Sequence, residues 1–144
     1  NVYQPYGVSK RRLDESKKTS MGWAIDGRVL YWTIRFYNER YGLPVMVTEN
    51  GMANDDTVSS DGKVHDKKRI DFMKEYLCGV KKAVNEGINV LGYQHWSLMD
   101  NFEWTNGYEP RFGIIHVDYN TQKRTIKDSG YFYKEIIESN GEII

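Results

Sequence analysis

The sequence lacks cysteine pairs, net charge and long apolar runs, and each absence excludes a class of protein. Its single cysteine, Cys78, rules out an internal disulfide framework and suits a reducing compartment such as the cytoplasm. Because 20 Lys and Arg residues balance 20 Asp and Glu residues, no net charge draws the chain to nucleic acid or an anionic membrane. No apolar run approaches the roughly 20 residues of a membrane span. We therefore expect a cytoplasmic protein with no nucleic-acid and no membrane partner.

The sequence also offers no sign of a bound metal or cofactor. His65, His95 and His116 do not have the spacing of metal ligands, and no glycine-rich phosphate loop occurs. A chain of 144 residues, 40% hydrophobic and 28% charged, is typical of a globular domain with a core. We therefore expect one such domain that uses no metal and no cofactor.

Aromatic residues, in contrast, are abundant. They make up 14% of the chain and include four Trp and eleven Tyr. Most of the tyrosines are expected to fill a core, where aromatic side chains bury large areas. In sugar-binding proteins, aromatic faces also stack on the apolar faces of pyranose rings. Tryptophans that lie next to carboxylates at strand ends favour this second use.

The stretch from Val45 to Met52 predicts a short strand that ends in a carboxylate. Val, Met, Val and Thr suit a packed, pleated surface, and Gly51 allows the backbone to turn away at once. Glu49 would then lie at the C-terminal end of the strand, where parallel α/β proteins place catalytic side chains. The octapeptide alone leaves a second interpretation open, in which Glu49 forms a salt bridge or caps the next helix.

Apolar spacing predicts alternating strands and helices along the rest of the chain. A first helix ends near Tyr41 with Gly42 as its C′ residue, and Asp66 is a plausible N-cap for a second, long helix. Further segments are an extended stretch over 88–96, another over 111–119 and a last helix over about 128–140. Strands that alternate with helices imply a parallel sheet with helical crossovers.

The helical spacing also predicts which residues face the core. In the first helix the apolar stripe comprises Val29, Leu30, Thr33, Ile34, Phe36, Tyr37 and Tyr41. In the last helix, the inward-facing residues are expected to be Phe132, Ile136 and Ile137.

Three motifs in order resemble glycoside hydrolase family 1, the β-glucosidase family. Thr-Glu-Asn-Gly, over 48–51, resembles the nucleophile motif of that family. Gly-Tyr-Gln-His-Trp-Ser-Leu-Met-Asp-Asn-Phe-Glu-Trp, over 92–104, resembles its glycone-binding segment. Arg-Phe-Gly-Ile-Ile-His-Val-Asp-Tyr, over 111–119, continues the match.

The resemblance implies a fold of class α/β, a (β/α)8 TIM barrel, which needs about 250 residues. The chain could hold only the C-terminal part, about the last three βα units. We expect one partial domain over 1–144, with the end of strand 6 near 1–4, strand 7 near 44–49 and strand 8 near 89–96. The isolated chain is expected to be inactive, and the remaining N-terminal barrel segment would be its partner.

The resemblance further implies a retaining β-glycosidase, most simply a β-glucosidase. Such enzymes place two carboxyl groups roughly 5–5.5 Å apart, one as nucleophile and one as acid/base. Glu49 matches the nucleophile, and Tyr3 matches a tyrosine that hydrogen-bonds it, although Tyr3 could equally be a plain terminal aromatic. The family carries the acid/base in a Thr-x-Asn-Glu-Pro motif, which does not occur here. The acid/base is therefore expected outside this chain.

Five further residues match the family's substrate-binding positions. Glu103 corresponds to the residue that accepts hydrogen bonds from the 4- and 6-hydroxyls of the sugar. Trp96 would form the platform beneath the ring, and Trp104 would donate its indole N–H to the 3-hydroxyl. Phe112 would line the pocket near the 6-position, or be a core residue. Trp23 would form an aromatic wall on the leaving-group side, or merely hold its loop.

Two other functions stay open at this point. A branch of the family acts on 6-phospho-β-glycosides, but it lacks the acid at the position of Glu103. The chain could also be a sugar-binding fragment that never catalyses, with its sheet completed by other strands or by copies of itself as a homo-oligomer. The expected substrate is a β-glucoside or a cello-oligosaccharide.

Overall fold

The computed structural model describes residues 17–144, so the placement of strand 6 near 1–4 lies outside the described residues. The elements within this range are three α-helices, four short strands and one turn of 3-10 helix. In chain order they are α1 (Arg28–Tyr41), β1 (Val45–Asn50), α2 (Lys67–Asn85), β2 (Val90–His95), the 3-10 turn (Trp104–Asn106), β3 (Ile115–Val117), β4 (Arg124–Ile126) and α3 (Asp128–Glu138).

Strands β1 and β2 form the parallel pair on which the rest of the described chain is built. They are joined by α2, and Val45 pairs with Val90 at one end while Asn50 pairs with His95 at the other. The strands expected near 44–49 and 88–96 are therefore present. Because parallel strands run in the same direction, the loops after β1 and β2 leave the same edge of the sheet.

All three helices contribute to cores on one side of this pair. Tyr31 and Ile34 of α1 pack with Val47 of β1 and Ala83 of α2. A second cluster joins Met73 and Leu77 of α2 with Ile114 and Ile136. The alternate residues of the two strands, Met46 and Leu91 among them, are exposed. The sheet thus has one face covered by helices and one bare apolar face, as in a section cut from a closed α/β barrel.

The stretch over 111–119, expected to be extended, is a strand over only part of its length and lies outside the parallel pair. Only Ile115–Val117 forms a strand, β3, and it pairs antiparallel with β4 in a separate hairpin. The turn between them explains the reversal, because the carboxylate of Asp118 accepts hydrogen bonds from the backbone N–H groups of Asn120 and Thr121. The chain therefore folds back at once and never reaches the next position in the parallel sheet.

The predicted inward faces of two helices need correction. In α1, Val29, Phe36, Tyr37 and Tyr41 are exposed, and in α3 Ile137 is 63% exposed. The apolar residues of α1 cover more than one face of the helix, and only the face that carries Tyr31 and Ile34 meets α2 and the sheet. Spacing alone therefore identified an apolar helix but not which of its faces the described residues cover.

The capping residues Gly42 and Asp66 lie where the sequence predicts them, but the side chain of Asp66 does not act as a cap of α2. Gly42 has the left-handed φ of 62° expected of a C′ glycine, and its N–H donates to the carbonyl of Asn38. Asp66 is the N-cap residue of α2, but its side chain makes no capping bond. The carboxylate accepts instead from Ser129 and Arg69. Within residues 17–144, no helix has the length and hydropathy needed to cross a membrane.

One half-buried histidine, His95, predicts how stability should depend on pH. Burial, reinforced by the positive charges of Arg69 and Lys127, lowers the pKa of His95 to about 3. Unfolded histidine binds a proton below about pH 6.5, so acid favours the unfolded state over this range. The variant His95→Leu should therefore lose less stability than the wild type on acidification. The difference should grow by up to about 1.4 kcal/mol per pH unit in urea unfolding.

A matched control for this measurement is His65→Asn. The carboxylates of Asp128 and Asp61 raise the pKa of the exposed His65, so its stabilising effect is present at low pH and is lost as pH rises through the raised pKa. The two histidines should thus shift the pH profile in opposite directions. Superimposable profiles for the wild type and His95→Leu would contradict the assignment.

Candidate active site

The C-terminal ends of β1 and β2 are held together by hydrogen bonds around Asn50. The backbone N–H of Trp96 donates to the Asn50 carbonyl at 2.9 Å. The hydroxyl of Tyr93 donates to the Asn50 side-chain oxygen, also at 2.9 Å. The strand register shifts between Val47 and Asn50, and Glu49 is exposed at this irregularity. The structure therefore brings the chain positions of Glu49 and Trp96 to neighbouring strand ends.

Gly51 makes this junction possible. A Cβ atom at position 51 would lie 1.6 Å from the carbonyl oxygen of Trp96 and 2.7 Å from its carbonyl carbon. These are backbone atoms, which cannot move aside as a flexible side chain could. The glycine in Thr-Glu-Asn-Gly therefore allows the ends of β1 and β2 to pack closely.

The segment after β2 is fixed before it reaches Glu103. The N–H of Ser97 donates to the Phe112 carbonyl at 3.2 Å, and the N–H of Asp100 donates to the Ile115 carbonyl at 3.0 Å. Beyond this paired stretch the chain makes a tight loop, in which the Glu103 N–H donates to the Gly107 carbonyl at 2.7 Å. Glu103 is half-buried in this loop.

The four predicted aromatic residues of the described chain have different environments. Trp104 is 80% exposed at the tip of the loop, and Trp96 is exposed beside the junction. Phe112 is buried, and its ring lies 6.0 Å from that of Trp23. Trp23 and Phe112 therefore form one aromatic contact, and the burial of Phe112 fits a core role as well as a pocket role. Tyr3 lies outside the described residues.

A cleft beside the loop after β2 does not contain the candidate carboxylates. It has a volume of about 660 Å³ and is lined by Trp96, Leu98, Phe102, Tyr108 and Tyr119 among others. It shares Trp96 with the candidate site, but neither Glu49 nor Glu103 lines it. We therefore do not assign this cleft as the place where Glu49 and Glu103 would bind a substrate. In the part of the chain that is described, no cluster of His, Cys, Asp and Glu could hold a metal ion.

A buried ionic network that the sequence did not predict joins the two loops. Asp56 and Asp100 follow β1 and β2, and both carboxylates bind the ammonium group of Lys127. Arg69 at the start of α2 also binds Asp56. Charged residues of this kind are usually solvated, so no periodicity or spacing marks them as buried. The sequence shows only that these charged residues lie next to apolar segments, and not that they are buried.

The parallel strands joined by a helix are the βα architecture of an α/β protein, and the solved relatives place it within a barrel of the TIM type. The chain belongs to glycosyl hydrolase family 1, whose sequence pattern matches residues 3–142. The recognition made from the three motifs is therefore confirmed, and so is the expected fold class.

The relatives agree with this placement. Beta-glucosidase A of Thermotoga maritima is 52% identical over 125 residues, which are 86% of this chain and 28% of that protein. The solved structure of the family 1 β-glucosidase from the same organism superposes with a TM-score of 0.87 at 50% identity, over 88% of this chain and 29% of that one. A 6-phospho-beta-galactosidase of Leptotrichia buccalis is 41% identical over 95% of this chain and 30% of that protein. The chain thus spans less than a third of the length of these relatives.

The junction at Gly51 can be tested with two alanine variants of the complete protein. Gly51→Ala should separate the ends of β1 and β2, because the new Cβ overlaps the Trp96 backbone. Overpacking of this kind costs about 1–3 kcal/mol of stability. The loss can be measured by thermal unfolding.

The control is Gly92→Ala on β2. Among the described residues, a Cβ at position 92 would meet only the terminal methyl of Met46, at an ordinary distance of 3.8 Å. This variant should retain the wild-type stability. Equal behaviour of the two variants would show that the close approach at Gly51 has no consequence.

Proposed function

We propose that this chain forms the nucleophile and glucose-binding part of a retaining β-glucosidase that hydrolyses terminal β-linked glucose. The observation that carries the proposal is the junction at Asn50. It leaves the Glu49 carboxylate exposed at the end of β1, next to the end of β2 from which Trp96 emerges. A carboxylate beside an exposed tryptophan suits attack on a sugar that is stacked on the indole.

In the proposed reaction, Glu49 attacks the anomeric carbon and forms a glycosyl ester as the glycosidic bond breaks. A second carboxylic acid protonates the departing oxygen. The same group then removes a proton from water, which cleaves the ester and releases glucose with retained configuration. We assign that acid/base to the N-terminal part of the barrel. Tyr3 is proposed to donate a hydrogen bond to Glu49.

Glucose recognition is proposed to come from the loop after β2. Glu103 accepts hydrogen bonds from the 4- and 6-hydroxyls, and a carboxylate can hold two hydroxyls at once through charge-assisted bonds. Trp104 donates its indole N–H to the 3-hydroxyl, and Trp96 lies beneath the ring. Phe112 lines the 6-position, while its neighbour Trp23 forms the wall on the leaving-group side. The contact between these two rings supports a role of Phe112 in holding the exposed Trp23 in place.

The proposed substrates are β-glucosides and cello-oligosaccharides. Several relatives carry names of this kind, including the 1,4-beta-D-glucan glucohydrolase of Thermotoga neapolitana, which is 52% identical over 86% of this chain. A second candidate is hydrolysis of 6-phospho-β-glycosides, since two 6-phospho-beta-galactosidases match 95% of this chain at 41% and 40% identity. Glu103 argues against this candidate, because a carboxylate repels a phosphate dianion at hydrogen-bonding distance.

The nucleophile can be tested in the complete protein with Glu49→Gln. The amide cannot form the glycosyl ester, so hydrolysis of an aryl β-glucoside should be abolished while the fold is retained. Glu39→Gln is a matched control, since Glu39 lies on the exposed side of α1 and pairs with Arg35. It should keep full activity. A Glu49→Gln enzyme that still turns over the glucoside would refute the assignment.

The two candidate substrate classes can be separated by one comparison. The complete protein should hydrolyse an aryl β-glucoside and should fail to hydrolyse the corresponding 6-phosphoglucoside, because Glu103 repels the phosphate. Replacing Glu103 with Ser should weaken glucoside turnover and reduce this discrimination. A wild-type preference for the phosphorylated substrate would overturn the proposal in favour of the second candidate.

A further inference from the structure

Lys127 is the centre of a buried ionic network that lies beneath the candidate site. Its side chain is fully buried immediately before α3. The ammonium group donates to Asp56 at 2.6 Å and to Asp100 at 2.9 Å. Burial and the neighbouring Arg69 lower the pKa of Lys127, while the two carboxylates oppose that shift. Lys127 therefore joins two carboxylates that come from two different loops.

On one side of Lys127, Asp100 organises the loop that carries the proposed glucose-binding residues. Besides Lys127, its carboxylate accepts from the N–H of Gly113 at 3.0 Å, from the N–H of Val117 at 3.3 Å and from Arg111 at 3.0 Å. The side chain of Asp100 is fully buried. Asp100 thus ties this loop to β3 three residues before Glu103.

On the other side, Asp56 organises the loop that follows the proposed nucleophile. Its carboxylate accepts two bonds from Arg69, at 2.8 and 2.6 Å, and one from the side chain of Asn54 at 2.7 Å. Arg69 also donates to the Arg111 carbonyl at 2.5 Å. The loop after β1 is therefore bound to the start of α2 and to the segment that leads into β3.

We infer that Lys127 is a positioning residue that sets the glucose-binding loop in register with the nucleophile strand. No other described side chain bonds to carboxylates from both loops, and the inference rests on the proposed function of Glu49 and Glu103. Loss of the Lys127 ammonium group leaves the buried carboxylates of Asp56 and Asp100 without their shared counter-charge, so that they repel each other and displace Glu103 relative to Glu49. Glucose then loses the contact at its 6-hydroxyl.

The readout must distinguish positioning from a general effect on folding. We therefore compare kcat/KM for an aryl β-glucoside with kcat/KM for an aryl β-xyloside, which lacks the 6-hydroxymethyl group. The ratio of these two values does not depend on the fraction of enzyme that is folded. In the complete protein, Lys127→Met should lower this ratio about tenfold, the size expected for one hydrogen bond to a charged group.

A second variant, Lys127→Gln, removes the positive charge but keeps a polar side chain of similar length, and Asp100→Asn removes the negative charge of its partner with a side chain of equal size, so the test remains decisive if Lys127→Met does not fold. Both variants should also lower the ratio. The matched control is Lys134→Met, which removes an exposed lysine from α3 that pairs only with Glu138 among the described residues. This control should keep the wild-type ratio.

The outcomes separate the inference from the proposed function. A folded Lys127→Met or Asp100→Asn enzyme with the wild-type ratio would overturn the positioning role, even if its total activity is reduced. A wild-type protein that hydrolyses neither substrate would instead overturn the proposed function. A lowered ratio in the Lys127 and Asp100 variants, with no change in Lys134→Met, supports the inference.

Discussion

The ion pairs of buried Lys127 are the interaction on which the arrangement of the two functional loops depends. A buried charge is tolerated only when it is paired, and removing one partner from such a pair costs about 3–5 kcal/mol. Asp56 and Asp100 are both needed here, and Arg69 adds a further positive charge against Asp56. Asp56 follows β1 and Asp100 follows β2. Because both must stay close to Lys127 to remain paired, the two loops must stay close to each other. The two loops are therefore held together by buried charges.

The strand ends are held by a different constraint, which is steric. Gly51 approaches the backbone of Trp96 too closely for any side chain, and Asn50 is bound by both Trp96 and Tyr93. Glu49 directly precedes Asn50 and Gly51 in the chain, and its side chain is exposed. The bare face of the sheet and the exposed aromatic residues of α1 lie where a closed barrel places other strands and helices. The chain thus fixes the backbone around Glu49, and in the proposed function the second carboxyl group comes from another part of the barrel.

Much of the fold was predictable because it rests on local patterns. The apolar run before Glu49, the glycine at 42 and the helical spacing after Asp66 each act over a few residues, and the elements appear where they predict. The errors concern contacts between distant segments. The hairpin of β3 and β4 depends on a turn at Asp118, and the faces of α1 depend on which neighbours are present. Periodicity describes a helix or strand by itself and carries no information on its partners.

The sequence by itself determined the family, the strand that bears Glu49 and the loop that bears Glu103, since three ordered motifs were visible in the chain. Only the tertiary structure decided that Lys127 and Arg69 are buried between loops, because burial of a charge depends on partners that lie far away in sequence. Lys127 is 71 positions from Asp56 and 27 from Asp100. No local rule predicts a lysine there as anything but solvated. The physical reason is that the free energy of a buried charge is set by the whole surrounding fold.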